Sequence, residues 1–225
     1  MKETTWIIDT HNGSLTVEGL HQSELKMVTS DLLPTGKQVN CARPINTPKL
    51  NPSFVQITNS EPSLRVFRIY HHSVVEGPGR RSVLQTVGCS IRCDGCIVPE
   101  THDPNGGVEM PISEIVEMLL DSQGEPRDGI TILGGEPFLQ LNGLLALMQA
   151  LRDKDQHLTV YTGYTIEQLI SRSESVVRRI LELTDILIDG PFIKELSEGS
   201  GEWVGSTNQR LIYHPSQYSS SDCSE

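Results

Sequence analysis

From Leu64 onward the sequence alternates short apolar runs with amphipathic stretches of helical period, and nothing else in it restricts the fold as much. Apolar runs at 65–70, 82–87, 129–133, 157–161, 185–188 and 209–213 have the length of strands and are bounded by glycine or polar residues. Between them Ile112, Ile115, Val116 and Leu119 share one helical face, as do Leu141, Leu144, Leu145, Met148 and Leu151. Residues 165–173 and 176–183 read as two shorter helices. Strands alternating with helices imply an α/β fold with a parallel sheet and crossover connections, open or barrel-like.

The preceding residues have a different character. They are rich in Thr, Ser, Asn and Pro, and Trp6-Ile7-Ile8 and Leu15-Thr16-Val17 flank Thr10-His11-Asn12-Gly13, the pattern of a hairpin. Prolines and polar residues from 33 to 52 suggest an extended, loop-like stretch. The expected organisation is a β- and loop-rich accessory segment at 1–63, a core domain at 64–215 and a serine-rich disordered tail at 216–225.

Charge and hydropathy narrow the partners. Lys plus Arg number 18 against 29 Asp plus Glu, a net charge of −11 that repels a phosphate backbone, so nucleic acid is not expected. No apolar run approaches the roughly 20 residues that span a bilayer, so no membrane is expected either. The N-terminus lacks a basic region followed by an apolar stretch, and a cytoplasmic location is expected.

Three of the five cysteines, Cys89, Cys93 and Cys96, fall within eight residues directly after an expected strand. So tight a group closes no useful disulfide loop and reads as a metal site. Three thiolates can hold three irons of a [4Fe–4S] cube, leaving the fourth iron open to an outside ligand. The alternative is zinc bound by three cysteines and His102, six residues further on. Cys41 and Cys223 stand alone and read as a buried apolar thiol or a tail thiol.

Three other expected strand ends carry glycine beside a polar group: Gly134-Gly135-Glu136-Pro137, Tyr161-Thr162-Gly163-Tyr164 and Ile188-Asp189-Gly190. Ligands of parallel α/β sheets bind at the carboxyl ends of the strands, where glycine lets backbone approach a ligand and Glu136 offers a carboxylate to an ammonium group. Each turn has a plainer reading as a connection, and Asp189 could simply cap the turn after it. Arg80-Arg81 can meet a carboxylate of a ligand or partner, or be solvated charge, and His71-His72 reads more simply as surface or packing groups.

Taken together, these residues resemble the radical S-adenosylmethionine (SAM) enzymes, and more narrowly the activating proteins of anaerobic ribonucleoside-triphosphate reductase. The likeness runs over residues 65–213 with the motifs in order. Val75-Glu76-Gly77-Pro78-Gly79-Arg80-Arg81 precedes the cysteine loop 89–96, Pro99-Glu100-Thr101 follows it, and Gly134–Pro137 resembles the turn that takes the SAM amino group. Asp189-Gly190-Pro191-Phe192 and Trp203-Val204-Gly205-Ser206-Thr207-Asn208-Gln209 resemble later motifs of the activating branch. Ile97-Val98 departs from the aromatic residue and asparagine usual after the third cysteine, so aliphatic packing replaces stacking beside the adenine.

The resemblance implies an open, partial (β/α) barrel. It implies Cys89, Cys93 and Cys96 on a [4Fe–4S] cluster and SAM on the fourth iron. Gly134, Gly135 and Glu136 would then hold the methionine end, with Gly95, Ile97, Thr162 and Gly163 near the nucleoside and Asp189 also among the cofactor-binding residues. It further implies reductive SAM cleavage to a 5′-deoxyadenosyl radical, a glycyl radical enzyme as protein substrate, and an electron donor such as flavodoxin or ferredoxin. Two other readings stay open: a radical SAM enzyme acting on a different peptide or protein, and a non-catalytic zinc or iron–sulfur interaction protein.

Overall fold

The structure, a computed structural model, describes residues 5–9, 14–18, 61–121 and 125–218. The chain divides into two compact units, 1–56 and 57–225. In the first, β1 (Thr5–Asp9) pairs antiparallel with β2 (Ser14–Glu18), Asp9 opposite Ser14. The turn expected at 10–13, the loop-like stretch at 33–52, Cys41 and Cys223 lie outside the described residues.

The second unit holds a seven-stranded mixed sheet. Its strands are β3 (Ser63–Ser73), β4 (Arg81–Thr86), β5 (Val108–Pro111), β6 (Gly129–Gly134), β7 (Leu158–Tyr161), β8 (Ile186–Asp189) and β9 (Arg210–Tyr213), in the order β5-β3-β4-β6-β7-β8-β9. Only β4, β6, β7 and β8 run parallel. The expectation of a parallel sheet is therefore corrected: β3, β5 and β9 are antiparallel to their neighbours. The seven residues between β3 and β4 are too few for a crossover, which needs a dozen or more, so those strands form a hairpin. Strand β5 was not expected, because four residues with three of them exposed give no apolar run.

Helices fill the crossovers: α1 (Ile112–Leu120) before β6, α2 (Leu141–Arg152) before β7, and α3 (Ile166–Ser171) with α4 (Ser175–Leu183) before β8. Thr165 and Gln168 form a capping box that starts α3. The buried stripes Ile112, Ile115 and Leu119 of α1, Leu144, Leu147, Met148 and Leu151 of α2, and Val177, Ile180 and Leu181 of α4 join one core.

The period of two along the strands separates the sheet's faces. Leu84, Ile130, Ile132, Leu158, Val160 and Leu187 point into the helix-covered core. The residues alternating with them give the other face a mixture of polar Arg81, Gln85, Thr131, Thr159 and Tyr161 with apolar Val83, Leu133, Ile186 and Ile188. Arg81, 1% exposed, belongs to that face. It donates to the Thr131 hydroxyl at 2.5 Å and to the carbonyls of Ile130, Pro78 and His157 at 2.6, 3.0 and 3.2 Å. It therefore joins strands and stands outside the lining of the cavity described below, while Arg80 forms an exposed ion pair with Glu125.

At the end of the chain, residues Pro215–Gln217 form a short 3-10 turn, and the Tyr218 hydroxyl donates to Glu167 at 2.5 Å. The expected tail thus has its first residues in the folded unit; 219–225 lie outside the described residues. No helix among the described residues is long and apolar enough to cross a membrane.

Candidate active site

The sheet face away from the helix-covered core carries a cavity of about 480 Å³ at the carboxyl ends of the parallel strands. Cys89, Cys93 and Cys96 line it together with Ile97, Gly134, Gly135, Glu136, Thr162 and Gly163. One cavity therefore gathers the cysteine loop and residues of all three glycine turns, the third through Gly190. Gly95 and Asp189 stand outside its lining.

The cysteine loop is held at both ends. Gly88 N–H donates to the Thr101 carbonyl at 2.8 Å and Cys89 N–H to the His102 carbonyl at 3.2 Å, which lays the short 3-10 turn Pro99–His102 beside the end of β4. Within the loop Cys96 N–H donates to the Cys93 carbonyl at 3.2 Å, and Arg92 and Gly95 adopt left-handed conformations. The Lys194 side chain packs against Gly95. Burial pushes the Cys93 thiol up, as do Cys89 and Cys96 as charged neighbours, while a hydrogen bond from Phe192 N–H favours its thiolate. Among the described residues no three His, Cys, Asp or Glu side chains stand close enough to hold a single ion; the three thiols share the cavity wall instead.

The turn after β6 locks onto this loop. Gly135 N–H donates to Thr86 at 2.9 Å and Glu136 N–H to Gly88 at 2.8 Å. A Cβ on Gly134, whose φ is +115°, would lie 2.4 Å from the Thr86 nitrogen. The glycine therefore serves the close approach of two strand ends.

Glu136 is fully buried. Its oxygens accept from Phe138 N–H at 2.9 Å, Gly163 N–H at 2.8 Å and the Thr162 hydroxyl at 3.0 Å. Burial raises its pKa to about 7 against the pull of those three donors. The side chain thus ties the β6 turn to the β7 turn while presenting a carboxylate at the cavity. Ile91 of the cysteine loop rests over Gly163, where a Cβ would meet its Cδ1 at 2.5 Å.

Asp189 is fully buried and turned to protein partners other than the turn after it. Its carboxylate accepts Ile166 N–H at 2.7 Å, at the start of α3, and pairs with Arg210 at 2.5 Å. Ile97 is 76% exposed and forms part of the cavity rim.

Several lining residues escape a reading of the sequence as site residues. Val75 and Glu76 arrive because β3 is irregular between Tyr70 and Ser73, with His72 left-handed, before the chain turns into the 74–80 loop. There Tyr70 donates to Glu76 at 2.7 Å. Gln85, an interruption of the apolar run in β4, accepts from Arg68 at 2.8 Å. The opposite wall is Phe192, Trp203, Val204 and Gly205. Trp203 is left-handed, and its carbonyl accepts from the Tyr161 hydroxyl at 2.6 Å.

The residues present fit an iron–sulfur cluster with a small organic ligand. Three thiols border a cavity that also holds a fully buried carboxylate.

Comparison with known proteins agrees. Residues 75–212, more than half of the chain, match the family model described as 4Fe-4S single cluster domain. An anaerobic ribonucleoside-triphosphate reductase-activating protein of Pasteurella multocida is 34% identical over 156 residues, 66% of this chain and 96% of the relative. Its namesake from Escherichia coli K12 is 32% identical over 152 residues, 64% of this chain and 95% of the relative. The crystal structure of QueE from Escherichia coli is a distant likeness, with a TM-score of 0.39 and 17% identity over 46% of this chain and 53% of that one. The chain belongs to the 4Fe-4S single cluster domain family and, among radical SAM proteins, to the anaerobic ribonucleoside-triphosphate reductase-activating proteins, with a [4Fe–4S] cluster and SAM as its cofactors.

Proposed function

We propose that this chain is the activating enzyme of an anaerobic ribonucleoside-triphosphate reductase, on which it generates a glycyl radical. The observation that carries the reading is the convergence of Cys89, Cys93 and Cys96 with the Gly134–Glu136 turn on one cavity. Cys89, Cys93 and Cys96 would hold three irons of the cluster. Gly134, Gly135 and Glu136 would take the methionine end of SAM, with Ile97, Thr162 and Gly163 toward the nucleoside. The chemistry this pair supplies when bound is one-electron cleavage of the sulfonium bond, giving a 5′-deoxyadenosyl radical.

The protein's own part is placement and exclusion of water. Phe192 N–H favours the thiolate of Cys93 that iron requires. Glu136, desolvated and fixed by three donors, offers a charge to the SAM ammonium without reorganising. Phe192, Trp203 and Val204 close the far wall with apolar surface. A protein substrate enters as a loop, which an open, partial barrel admits; electrons come from a donor such as flavodoxin or ferredoxin.

The test is anaerobic reconstitution with iron and sulfide, reduction with SAM, and addition of the reductase from the same organism. Iron near four per chain, released 5′-deoxyadenosine and a glycyl radical signal by electron paramagnetic resonance are expected. SAM cleavage with no radical on the reductase would point to another peptide or protein as target. A colourless protein holding one zinc would return the cysteine loop to a structural role.

A further inference from the structure

Strands β8 and β9 stop pairing at Asp189 opposite Arg210, and beyond that point the chain continues as two loops. The 190–193 loop leaves β8 and the 203–206 loop leads back toward β9. Together they supply Gly190, Phe192, Trp203, Val204 and Gly205 to the cavity wall. Where the ladder ends, the side chain of Gln209 takes its place. Its Oε1 accepts from Gly205 N–H at 2.8 Å and Ser206 N–H at 3.2 Å, and its Nε2 donates to the Gly190 carbonyl at 3.1 Å. Only this orientation of the amide serves all three, since the reverse would set its NH₂ against two N–H groups and its oxygen against a carbonyl. Asn208 works beside it, its Nδ2 donating to the Pro191 carbonyl at 2.8 Å. The Tyr161 hydroxyl ties the other end of the 203–206 loop to β7 through the Trp203 carbonyl at 2.6 Å.

Without Gln209, two backbone donors and one backbone acceptor lose their partner, each at a cost of about 1–3 kcal/mol unless water replaces it. Gln209 itself lines the cavity, so that water would enter through its wall. We infer that Gln209 is the positioning residue that holds this two-loop wall closed, so that the 5′-deoxyadenosyl radical takes its hydrogen from the protein substrate and from nothing else. This rests on the glycyl radical reading above. Transfer of one hydrogen atom from a glycine Cα to the 5′ carbon gives one 5′-deoxyadenosine and one glycyl radical, with no other reactant. A misplacement of about 1 Å costs such a transfer up to ~100-fold. The hydrogen then comes from buffer or from elsewhere in the protein, and 5′-deoxyadenosine forms with no glycyl radical to match it.

The test uses the full chain carrying Trp6→Phe, the parent, in which Trp203 is the one tryptophan. Gln209→Leu is made in it beside a stability control, Thr184→Val. The control loses the buried hydrogen bond from the Thr184 hydroxyl to the Ile180 carbonyl at 2.8 Å, away from the cavity lining. Quenching of Trp203 fluorescence by acrylamide reads the wall before any cofactor is added. After reconstitution, with SAM and the reductase from the same organism, glycyl radical counted by electron paramagnetic resonance is divided by 5′-deoxyadenosine released. Gln209→Leu is expected to open Trp203 to the quencher and to lower that ratio about tenfold, with iron per chain unchanged. Thr184→Val is expected to change neither reading.

Equal quenching of Trp203 in Gln209→Leu and its parent overturns the inference, because the amide then does not hold the wall. So does an opened Trp203 with an unchanged ratio, which leaves the clamp a structural part only. An equal fall in Thr184→Val overturns it as well, by assigning the fall to lost stability. A parent chain that puts no radical on the reductase overturns the proposed function, and this inference with it. Should Gln209→Leu fail to fold, Gln209→Glu decides by the same two measurements. Its ionised side chain keeps an acceptor for Gly205 and Ser206 and lacks the donor for Gly190.

Discussion

The Glu136 carboxylate accepts the backbone N–H of Gly163 at 2.8 Å, joining the turn after β6 to the turn after β7 across the floor of the cavity. The same side chain holds Phe138 N–H at 2.9 Å and the Thr162 hydroxyl at 3.0 Å. A residue that the sequence marks as a ligand for an ammonium group is thus also the strut that gives the site its shape.

Replacing Glu136 with Ala removes one acceptor group and leaves three buried donors without a partner. Each orphaned donor costs about 1–3 kcal/mol, moderated where water enters. We expect Glu136→Ala to lower stability in urea by about 2–4 kcal/mol and to weaken SAM binding at least tenfold. Glu136→Gln keeps one oxygen acceptor and should lose less stability but as much SAM affinity. Equal SAM binding by Glu136→Ala and the unaltered chain would remove Glu136 from the site.

Gly134 and Gly163 should respond differently to the same methyl group. At Gly134 the Cβ meets the backbone of Thr86 at 2.4 Å in a left-handed conformation, and neither can give. Gly134→Ala is expected to cost about 3 kcal/mol or more. At Gly163 its one close approach is to the Cδ1 of Ile91, the end of a side chain, at 2.5 Å. Gly163→Ala should cost about 1–2 kcal/mol, most of it returned by adding Ile91→Ala. A double-mutant cycle in urea reads that coupling directly, and additive losses would contradict the packing described.

Arg81 predicts a structural loss of a different kind. Its guanidinium, buried with a pKa lowered to about 10, satisfies three carbonyls and a hydroxyl and faces no carboxylate at hydrogen-bond distance among the described residues. Arg81→Met should destabilise the chain by about 3 kcal/mol while SAM affinity, measured well below the melting temperature, stays within twofold. A selective loss of SAM binding would revive the alternative that Arg81 meets a ligand.

The extent to which these features can be read from the chain depends on how local they are. The spacing of Cys89, Cys93 and Cys96 is a local property, and the structure brings those thiols to one wall as that spacing demands. Strands β6 and β8 are visible because burial on both sides makes residues 130–133 and 186–188 short apolar runs. Strand β5 is invisible because pairing with β3, not apolar content, makes it a strand. Asp189 is ambiguous in the sequence for a similar reason. A carboxylate beside glycine at a strand end looks the same whether it faces a ligand or, as here, an Arg210 from 21 residues away. Glu76 and Gln85 become wall residues only through the hairpin of β3 and β4, which no short window of sequence contains.

The pKa of Glu136 carries the last prediction, and its sign differs for folding and for binding. Burial raises this carboxyl from 4.5 to about 7, so between those values the folded chain holds a proton that the unfolded chain has lost. Its contribution to stability is therefore full below pH 4.5 and declines as pH climbs through about 7. Binding the SAM ammonium favours the ionised form, so affinity should rise with pH over the same range, by up to about tenfold per unit below pH 7. Up to one proton leaves per SAM bound. Calorimetry of the reconstituted chain in two buffers of different ionisation enthalpy measures that proton, and Glu136→Gln should abolish both its release and the pH dependence. A flat affinity from pH 6 to 8 in the unaltered chain would mean that Glu136 serves the fold alone and that the SAM ammonium is held by backbone carbonyls.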